Sequence, residues 1–193
     1  MCSGPNVINI DMVPTPVLYH AALTVGTGSG VMVTGSHNPP DYNGFKIMIG
    51  GNTLFGDNIQ TLYKIIFENS FDKGSGTLTT VTAITHYLER IFSDIKLSRR
   101  LKIAVDCGNG VAGVCAEQLF ESLGCDVVPV FTEVDGHFPN HHPNPSELKN
   151  LEDLIRTVKK EKCEVGFAFD GDADRVGVVT EKGEIIYADR LIM

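Results

Sequence analysis

Residues 164–175 of the chain read EVGFAFDGDADR, and this stretch decides the fold. Residues 164–169 are a short, mostly apolar run that ends at a turn, which predicts a buried β-strand. Asp170, Asp172 and Asp174 follow that strand directly, at alternate positions. Ligands of open α/β sheets bind beyond the carboxyl ends of the strands. The stretch therefore predicts an α/β sheet with an acidic loop at its ligand-binding edge.

The segments around this stretch alternate between strand and helix. Residues 102–106 and 126–131 predict strands, and residues 111–123 between them predict a helix. Ser146 is expected to cap a second helix that ends near residue 162. After the acidic loop, residues 176–187 predict a hairpin. A strand, helix, strand, helix, strand order is typical of a parallel or mostly parallel α/β sheet.

The first half of the chain has the same alternation. Thr15 is expected to cap a helix that begins at Pro16. An apolar stripe over residues 57–67 predicts a helix packed in the core. The Gly, Ser and Thr residues of segment 72–80 indicate a domain boundary. We therefore expect two α/β domains with mixed, mostly parallel sheets, the first of them incomplete.

Composition excludes several classes of protein. The chain has 193 residues, of which 42% are hydrophobic and 21% charged, with a net charge of −8. This is too apolar for a disordered chain, and the negative charge argues against partners such as nucleic acid or an anionic membrane. An odd number of cysteines without CxxC spacing indicates reduced thiols and a cytoplasmic protein. The strand-like start and helix-like end suggest a fragment of a longer protein.

The acidic loop predicts a cation site. Three carboxylates packed this closely repel one another unless a cation lies among them, and hard oxygen ligands suit Mg²⁺ or Ca²⁺. A solvated acidic turn is the plain alternative. An EF-hand loop is disfavoured, because Arg175 stands where that loop needs glycine and the flanking residues are β-formers. Arg175 instead indicates an anion beside the metal, such as phosphate.

Two weaker signals lie upstream. Ser36, His37 and Asn38 follow a glycine in a Pro-rich turn, which taken alone favours a turn without catalytic function. Lys46 enters the next predicted strand, where a lysine is usually a solvated edge residue. A catalytic role for this lysine would need burial or a nearby positive charge to lower its pKa.

Taken together, the signals resemble a known family. The sequence TGSHNPPDYNGFKI at 34–47, followed far downstream by FDGDADR at 169–175, is similar to the α-D-phosphohexomutases, and within them to bacterial members that act on mannose and glucose phosphates. Smaller matches agree, among them Pro14-Thr15-Pro16, the Gly108-Asn109-Gly110 turn and the Pro-rich loop at 135–145.

The resemblance implies a mechanism and a set of roles. It implies that hexose 1-phosphate and hexose 6-phosphate are interconverted through a phosphoserine and a hexose 1,6-bisphosphate. Ser36 would carry the phosphoryl group and, through a phosphate oxygen, would bind Mg²⁺ together with Asp170, Asp172 and Asp174. The remaining implied roles are general acid–base catalysis for Lys46, support of the phosphate or sugar for His37 and Arg175, and loop geometry for Asn38.

The resemblance also implies what the chain lacks. Family members have four domains, and the third and fourth recognise the sugar and its phosphate. Residues 1–80 would be the C-terminal part of domain 1, residues 81–189 domain 2, and residues 190–193 the start of a further helix. We therefore expect a monomer with little mutase activity of its own. A phosphosugar- or cation-binding module and a phosphatase-like enzyme remain the alternatives. The loop histidines His137, His141 and His142 are expected to be structural, as is the Gly108–Gly110 turn.

Overall fold

The computed structural model of this protein describes residues 4–191, so Cys2 and the last two residues of the helix predicted at 190–193 lie outside it. Within that part of the chain the strands are β1 (Val7–Asn9), β2 (Gly30–Val33), β3 (Phe45–Ile49), β4 (Asn52–Thr53), β5 (Leu78–Thr80), β6 (Lys102–Asp106), β7 (Asp126–Val130), β8 (Val165–Phe169), β9 (Val176–Thr180) and β10 (Ile185–Ile186). The α-helices are α1 (Thr15–Thr24), α2 (Asp57–Phe67), α3 (Ala83–Asp94), α4 (Ala116–Ser122), α5 (Glu152–Glu161) and α6 (Ala188–Leu191). The mixed α/β class expected from the sequence is confirmed.

The second half of the chain forms a five-stranded sheet in the order β10-β9-β8-β6-β7. Strand β6 is parallel to both β7 and β8, whereas β8 and β9 form an antiparallel pair. Because β6 and β8 run in the same direction, their carboxyl ends lie at one edge of the sheet. Asp106, at the end of β6, and Asp170, directly after β8, therefore lie at that edge.

Helices cover both faces of this sheet. Side chains alternate between the faces of a strand, so neighbouring residues of β6 enter different clusters. Ala104 packs with Leu154 and Val158 of α5, and both of those side chains are fully buried. Ile103 and Val105 pack on the opposite face with Ala116 of α4 and Ala112 before it. Burial on both faces explains why the three central residues of β6 are all apolar.

The first half is assembled from smaller units. Strand β1 pairs in parallel with β5, so the last three residues of the segment predicted as a boundary form a strand. Strands β2, β3 and β4 form an antiparallel sheet. Helix α1 packs on α3 through a cluster that includes Val17, Ala21 and Ala83. This packing fixes the amino end of α1, where Thr15 lies.

The starts of two helices, α1 and α5, differ from the sequence prediction. Thr15 does not cap α1, because Pro14 takes the cap position and no side chain bonds to the first turn. Ser146 does not cap α5, which begins at Glu152 after a 3₁₀ turn. The side-chain oxygen of Asn144 accepts a hydrogen bond from the Ser146 N–H at 3.2 Å. The backbone carbonyl of Asn144 accepts one from the side-chain amide of Asn150 at 2.9 Å, so Asn144 organises this turn instead.

The helix predicted over 111–123 is divided. A 3₁₀ turn spans Val111–Val114, and α4 begins only at Ala116. The Val111 N–H donates to the Gly171 carbonyl at 2.9 Å, and a Cβ at Gly113 would lie 1.9 Å from the Thr132 carbonyl oxygen. These close contacts with neighbouring loops hold the first turn out of regular α-helical geometry.

Helix α2 is not part of the core, and the prediction that its apolar stripe is buried was wrong. It begins at Asp57 and is amphipathic, but none of its residues is buried, and Phe67 is 78% exposed. Among the described residues no element covers its apolar face. The spacing of apolar residues therefore identified the helix but not its packing. None of the helices within residues 4–191 is long and apolar enough to cross a membrane.

The cysteines of the described segment form no disulfide bond, and all of them are buried. Cys107, Cys115, Cys125 and Cys163 are free. Burial raises the pKa of Cys107 to about 12 and that of Cys115 to about 11. These thiols are therefore held protonated and serve as small apolar core residues.

Candidate active site

Two segments that are far apart in the sequence meet at the carboxyl end of β8. The first contains the serine loop between β2 and β3 (residues 34–44) and Lys46 in β3, and the second is the acidic loop between β8 and β9 (residues 170–175). The amino end of α1 completes the site, since Thr15 bonds to Asp172. Hydrogen bonds and a close backbone contact between Gly171 and Ser36, rather than a shared strand or helix, join these segments.

Ser36 lies at the centre of the serine loop in a left-handed backbone conformation, with φ of +53°. Its N–H donates to Thr34 Oγ1 at 2.8 Å, which fixes the turn. Its hydroxyl donates to Asp170 Oδ2 at 3.0 Å. A non-glycine residue in this conformation costs about 1–3 kcal/mol, and such strain is concentrated at functional sites. The strained turn presents the Ser36 hydroxyl to the acidic loop.

Asp170 is fully buried and organises the acidic loop around itself. Its Oδ1 accepts the backbone N–H groups of Asp174 and Arg175, each at 3.0 Å. Its Oδ2 accepts the Ser36 hydroxyl and the Arg175 side chain, with Nη2 at 2.8 Å. A buried carboxylate needs such charge-assisted partners, and they leave it one rigid orientation.

Arg175 joins the acidic loop to the serine loop. Besides Asp170, its Nη2 contacts Ser36 Oγ at 3.4 Å and donates to Nδ1 of His37. Because a guanidinium only donates, this ring nitrogen of His37 acts as the acceptor. The Arg175 side chain is 36% exposed, so one side of its guanidinium remains open to solvent beside the serine.

Lys46 bridges the other two carboxylates of the acidic loop. Its Nζ lies 2.5 Å from Asp172 Oδ2 and 2.5 Å from Asp174 Oδ2. Burial opposes the ammonium form, but the hydrogen bonds and negative charges of the two aspartates outweigh it and raise the pKa of Lys46. Burial likewise opposes ionisation of Asp172, but hydrogen bonds from Lys46 and Thr15 and the charge of Lys46 lower its pKa. Lys46 and Asp172 are therefore both charged.

The acidic loop fits a divalent cation. One carboxylate oxygen from each of Asp170, Asp172 and Asp174 lies within 4.8 Å of the others. Asp172 Oδ1 is buried and has no hydrogen-bond partner. A buried carboxylate oxygen without a donor is unfavourable, and a cation would satisfy it. All-oxygen ligation suits Mg²⁺ or Ca²⁺. The EF-hand alternative is excluded, because β8 and β9 are strands where that motif has helices.

The structure brings all the sequence-predicted residues to one place, but their side chains do not all take part in the hydrogen-bonded network. Ser36, His37, Lys46, Arg175 and the three aspartates form the hydrogen-bonded network described above. Asn38 lies in the same turn, where its N–H donates to the Gly35 carbonyl at 2.9 Å, and its side chain is exposed. Its main chain therefore belongs to the turn, and its role in the site stays a prediction.

The Gly108–Gly110 turn is structural, as expected. The N–H groups of Asn109, Gly110 and Val111 donate to carbonyls at 2.7–2.9 Å, and Gly108 N–H donates to Asp106 Oδ1 at 2.8 Å. None of these donors is left for a phosphate. The Asn109 side chain in turn holds the Pro-rich loop through Glu133 and Asn140.

His141 forms a buried ion pair that the sequence did not reveal. Its Nε2 lies 3.0 Å from Oδ2 of the fully buried Asp106, and its Nδ1 lies 3.0 Å from the His142 carbonyl oxygen. Burial opposes the charged imidazole, but the hydrogen bonds and charge of Asp106 outweigh it and raise the pKa of His141. Within residues 4–191 the loop histidines belong to no group of three potential metal ligands.

Thr15 and Gly171 are the site residues that sequence reasoning missed. The sequence predicts Thr15 only as a helix cap, and its place in the Pro14-Thr15-Pro16 match is the one signal that points beyond that. The sequence patterns assign no part to Gly171, yet a Cβ there would lie 2.0 Å from the Ser36 carbonyl oxygen. Local patterns could not identify either, because both contacts are made with residues more than a hundred positions away.

Comparison with protein families matches two adjacent segments. Residues 1–73 match the model of phosphoglucomutase/phosphomannomutase alpha/beta/alpha domain I. Residues 82–183, more than half of the chain, match the model of phosphoglucomutase/phosphomannomutase alpha/beta/alpha domain II. The serine loop lies in the first match and the acidic loop in the second, so the site is formed between them.

Individual relatives agree. The chain is 55% identical over 190 residues to a phosphomannomutase/phosphoglucomutase of Pseudomonas aeruginosa, covering 98% of the chain and 41% of that protein. It is 54% identical to a phosphoglucomutase of Neisseria meningitidis, of which it covers 42%. A crystal structure of a phosphoglucomutase/phosphomannomutase family protein from Burkholderia thailandensis superposes with a TM-score of 0.91 at 53% identity, covering 95% of the chain and 42% of that structure. The chain thus spans about two fifths of the length of these relatives.

Proposed function

The chain belongs to the phosphoglucomutase/phosphomannomutase family, and from that premise we propose that it contains the phosphoserine and the cation site of a hexose-phosphate mutase. The reaction is the interconversion of a hexose 1-phosphate and a hexose 6-phosphate, of mannose or glucose, through a hexose 1,6-bisphosphate. One observation supports this most directly: the Ser36 hydroxyl lies 3.0 Å from Asp170 Oδ2, within a network of carboxylates and cationic side chains.

Ser36 is the phosphoryl carrier in this proposal. A phosphoserine adds a charge of about −1.5 to −2 near neutral pH, beside three carboxylates. Such a group is stable only if cations surround it. Arg175, whose Nη2 lies 3.4 Å from Ser36 Oγ, and Lys46 supply part of that charge. Phosphoryl transfer depends mainly on positioning and on neutralisation of the transferring oxygens.

Asp170, Asp172 and Asp174 would hold Mg²⁺ together with a phosphate oxygen on Ser36. When bound, the ion neutralises negative charge on the phosphoryl group as it is transferred. The buried, unpartnered Asp172 Oδ1 supports this assignment. The backbone N–H groups that bond Asp170 Oδ1 hold that ligand in place independently of any ion.

The transfer step needs a proton donor and acceptor. When phosphoserine reacts with a sugar hydroxyl, the bond from phosphorus to Ser36 Oγ breaks, a bond from phosphorus to the sugar oxygen forms, the hydroxyl proton leaves and Ser36 Oγ gains a proton. In the return of the second phosphoryl group, Ser36 Oγ loses its proton and the sugar oxygen gains one. Lys46 is the proposed acid–base group: its ammonium form donates in the second transfer, and acceptance of the sugar proton in the first requires its neutral amine.

Arg175 and His37 orient the phosphoryl group in this proposal. The open side of the Arg175 guanidinium suits phosphate oxygens, and the bond to His37 Nδ1 limits its rotation. Asn38 contributes to the turn that presents Ser36. Choice between mannose and glucose is assigned to residues outside this chain, since relatives are more than twice as long.

Intact-mass spectrometry tests the proposal. The chain is incubated with glucose 1,6-bisphosphate and Mg²⁺, alongside Ser36→Ala and, as a matched control, Ser70→Ala at an exposed position. We expect wild type and Ser70→Ala to gain one phosphoryl group, with peptide mapping assigning it to residue 36. Ser36→Ala should gain none.

The outcomes separate the alternatives. A wild-type chain that gains no phosphoryl group, or gains it elsewhere, contradicts the phosphoserine proposal and leaves a binding module. Steady release of inorganic phosphate from the bisphosphate, dependent on Ser36, would instead identify a phosphatase-like activity.

A further inference from the structure

We propose that Thr15 is a positioning residue of the cation site, which holds the Asp172 carboxylate so that Oδ1 stays free to bind an ion. This inference rests on the proposed function, because that function makes Asp172 a ligand. It adds Thr15, at the amino end of α1, to the residues that form the cation site together with the acidic loop. Nothing in the local sequence around Asp172 points to it.

Thr15 makes two hydrogen bonds to Asp172 and is itself fully buried. Its hydroxyl donates to Asp172 Oδ2 at 2.8 Å, and its N–H donates to the Asp172 carbonyl at 2.9 Å. The two bonds fix both the backbone and the side chain of the same residue. A carboxylate held at both points has little freedom to rotate.

The two oxygens of Asp172 have different surroundings. Oδ2 accepts from Thr15 and from Lys46, whereas Oδ1 is buried without a partner. The two oxygens are chemically equivalent, so a hydrogen bond cannot select one atom, but it can fix the plane of the carboxylate. The Thr15 hydroxyl holds one oxygen at 2.8 Å, and this leaves the other oxygen in the unpartnered position. The oxygen in that position, here Oδ1, is the free ligand oxygen.

The position of Thr15 at the amino end of α1 also favours a negative charge on the Asp172 carboxylate bonded to it. The amino end of a helix carries partial positive charge, and the first turn of α1 has no acidic residue of its own. The Asp172 carboxylate, bonded to the first residue of the helix, occupies that position. Packing of α1 on α3 through Val17 and Ala83 anchors the helix, so the donor group cannot drift.

Residues that hold a metal ligand through a hydrogen bond typically change metal affinity by about 10–100-fold when they are replaced. Thr15→Val keeps the shape of the side chain and removes the donor. Thr15→Ser keeps the donor and removes a methyl group. Thr24→Val is the matched control in the same helix, because the Thr24 hydroxyl bonds only to carbonyls of its own helix.

The experiment measures Mn²⁺ affinity of the chain by electron paramagnetic resonance, without sugar. Circular dichroism and thermal unfolding in chelator report folding. We expect Thr15→Val to weaken Mn²⁺ binding by about 10–100-fold. Thr15→Ser and Thr24→Val should bind like wild type, within about threefold. Thr15→Ala, compared with Thr15→Ser, isolates the same hydroxyl if the valine variant does not fold.

The results separate this inference from the proposed function. If folded Thr15→Val or Thr15→Ala binds Mn²⁺ like wild type, the inference is overturned and Asp172 remains a ligand. Loss of folding in both variants, with Thr15→Ser folded, also overturns it and makes Thr15 a structural residue. If wild type does not bind Mn²⁺, or Asp172→Asn binds as well as wild type, the ligand assignment itself fails.

Discussion

The α-carbon of Gly171 lies against the main chain of Ser36, so closely that a Cβ at 171 would be 2.0 Å from the Ser36 carbonyl oxygen. The contact joins the serine loop to the acidic loop through backbone alone. The distance between Ser36 and Asp170 therefore depends on the absence of a side chain at position 171.

Gly171→Ala should force the two loops apart. Overpacking of this kind costs about 1–3 kcal/mol, and the phosphorylation of Ser36 should fall with it. Urea denaturation and intact-mass measurement after incubation with bisphosphate check both effects. Gly136→Ala is the control, since a Cβ at that position meets nothing within 4 Å. A Gly171→Ala chain as stable and as readily phosphorylated as wild type would show that the loops separate without penalty.

Lys46→Met should strengthen divalent-cation binding. The lysine ammonium neutralises Asp172 and Asp174, so a cation must compete with it for both carboxylates. Removing a charged hydrogen bond worth about 1.5–3 kcal/mol should raise Mn²⁺ affinity roughly tenfold or more. Lys64→Met, which removes an exposed lysine of α2, is the matched control. Equal affinity in wild type and Lys46→Met would mean that the ammonium does not compete for the site.

Asp170→Asn should destabilise the chain in metal-free buffer. The substitution removes the negative partner of Arg175 and weakens two backbone hydrogen bonds inside a buried loop. Breaking a buried ion pair costs about 3–5 kcal/mol, and partial exposure of Arg175 places the expected loss near the lower end of that range. Asp174→Asn, with a side chain 33% exposed, should cost less than about 1 kcal/mol. Chemical denaturation measures both, and a gain in stability for Asp170→Asn would mean that repulsion among the carboxylates dominates.

The His141–Asp106 pair should make stability depend on pH. Because the pKa of His141 is raised in the folded chain, the stabilisation is fully present below the unfolded-state pKa of about 6.5. It is lost as the pH rises through the higher folded-state pKa. His141→Leu should therefore cost about 3 kcal/mol in acid and less at alkaline pH.

Denaturant titrations across this pH range compare His141→Leu with His137→Leu. His137 lies in the same loop with its side chain 87% exposed, so its replacement should change stability by less than about 0.5 kcal/mol. A His141→Leu deficit that is constant with pH would argue against an ionised pair.

The acidic loop and the strand before it could be predicted from local sequence, because the residues that identify them are contiguous, at 164–175. Strands β3 and β9 occur where they were expected for the same reason. Proximity of Ser36, Lys46 and the aspartates could not be derived locally and came from resemblance to a family. Their catalytic roles and the domain boundaries stay predictions.

Local sequence could not predict the tertiary contacts, that is, which part of the chain packs on a helix face or bonds to a side chain. The stripe on α2 identifies an amphipathic helix but not whether anything covers it, and Phe67 is exposed. Thr15 precedes a proline at the start of a helix, a pattern typical of a cap, yet its hydroxyl forms a tertiary hydrogen bond with Asp172 instead. Asn144, rather than Ser146, organises the turn before α5 because it bonds to both sides of that turn.

The long sequence separations in the site have a kinetic consequence. Ser36 bonds to Asp170 across 134 residues, Lys46 to Asp172 across 126, and Thr15 to Asp172 across 157. Such contacts form only after large chain loops have closed, so we expect the site to assemble late on the folding pathway. Interactions absent from the transition state slow unfolding without accelerating folding. Stopped-flow measurements should therefore show that a bound cation prolongs the lifetime of the folded chain but does not hasten its formation.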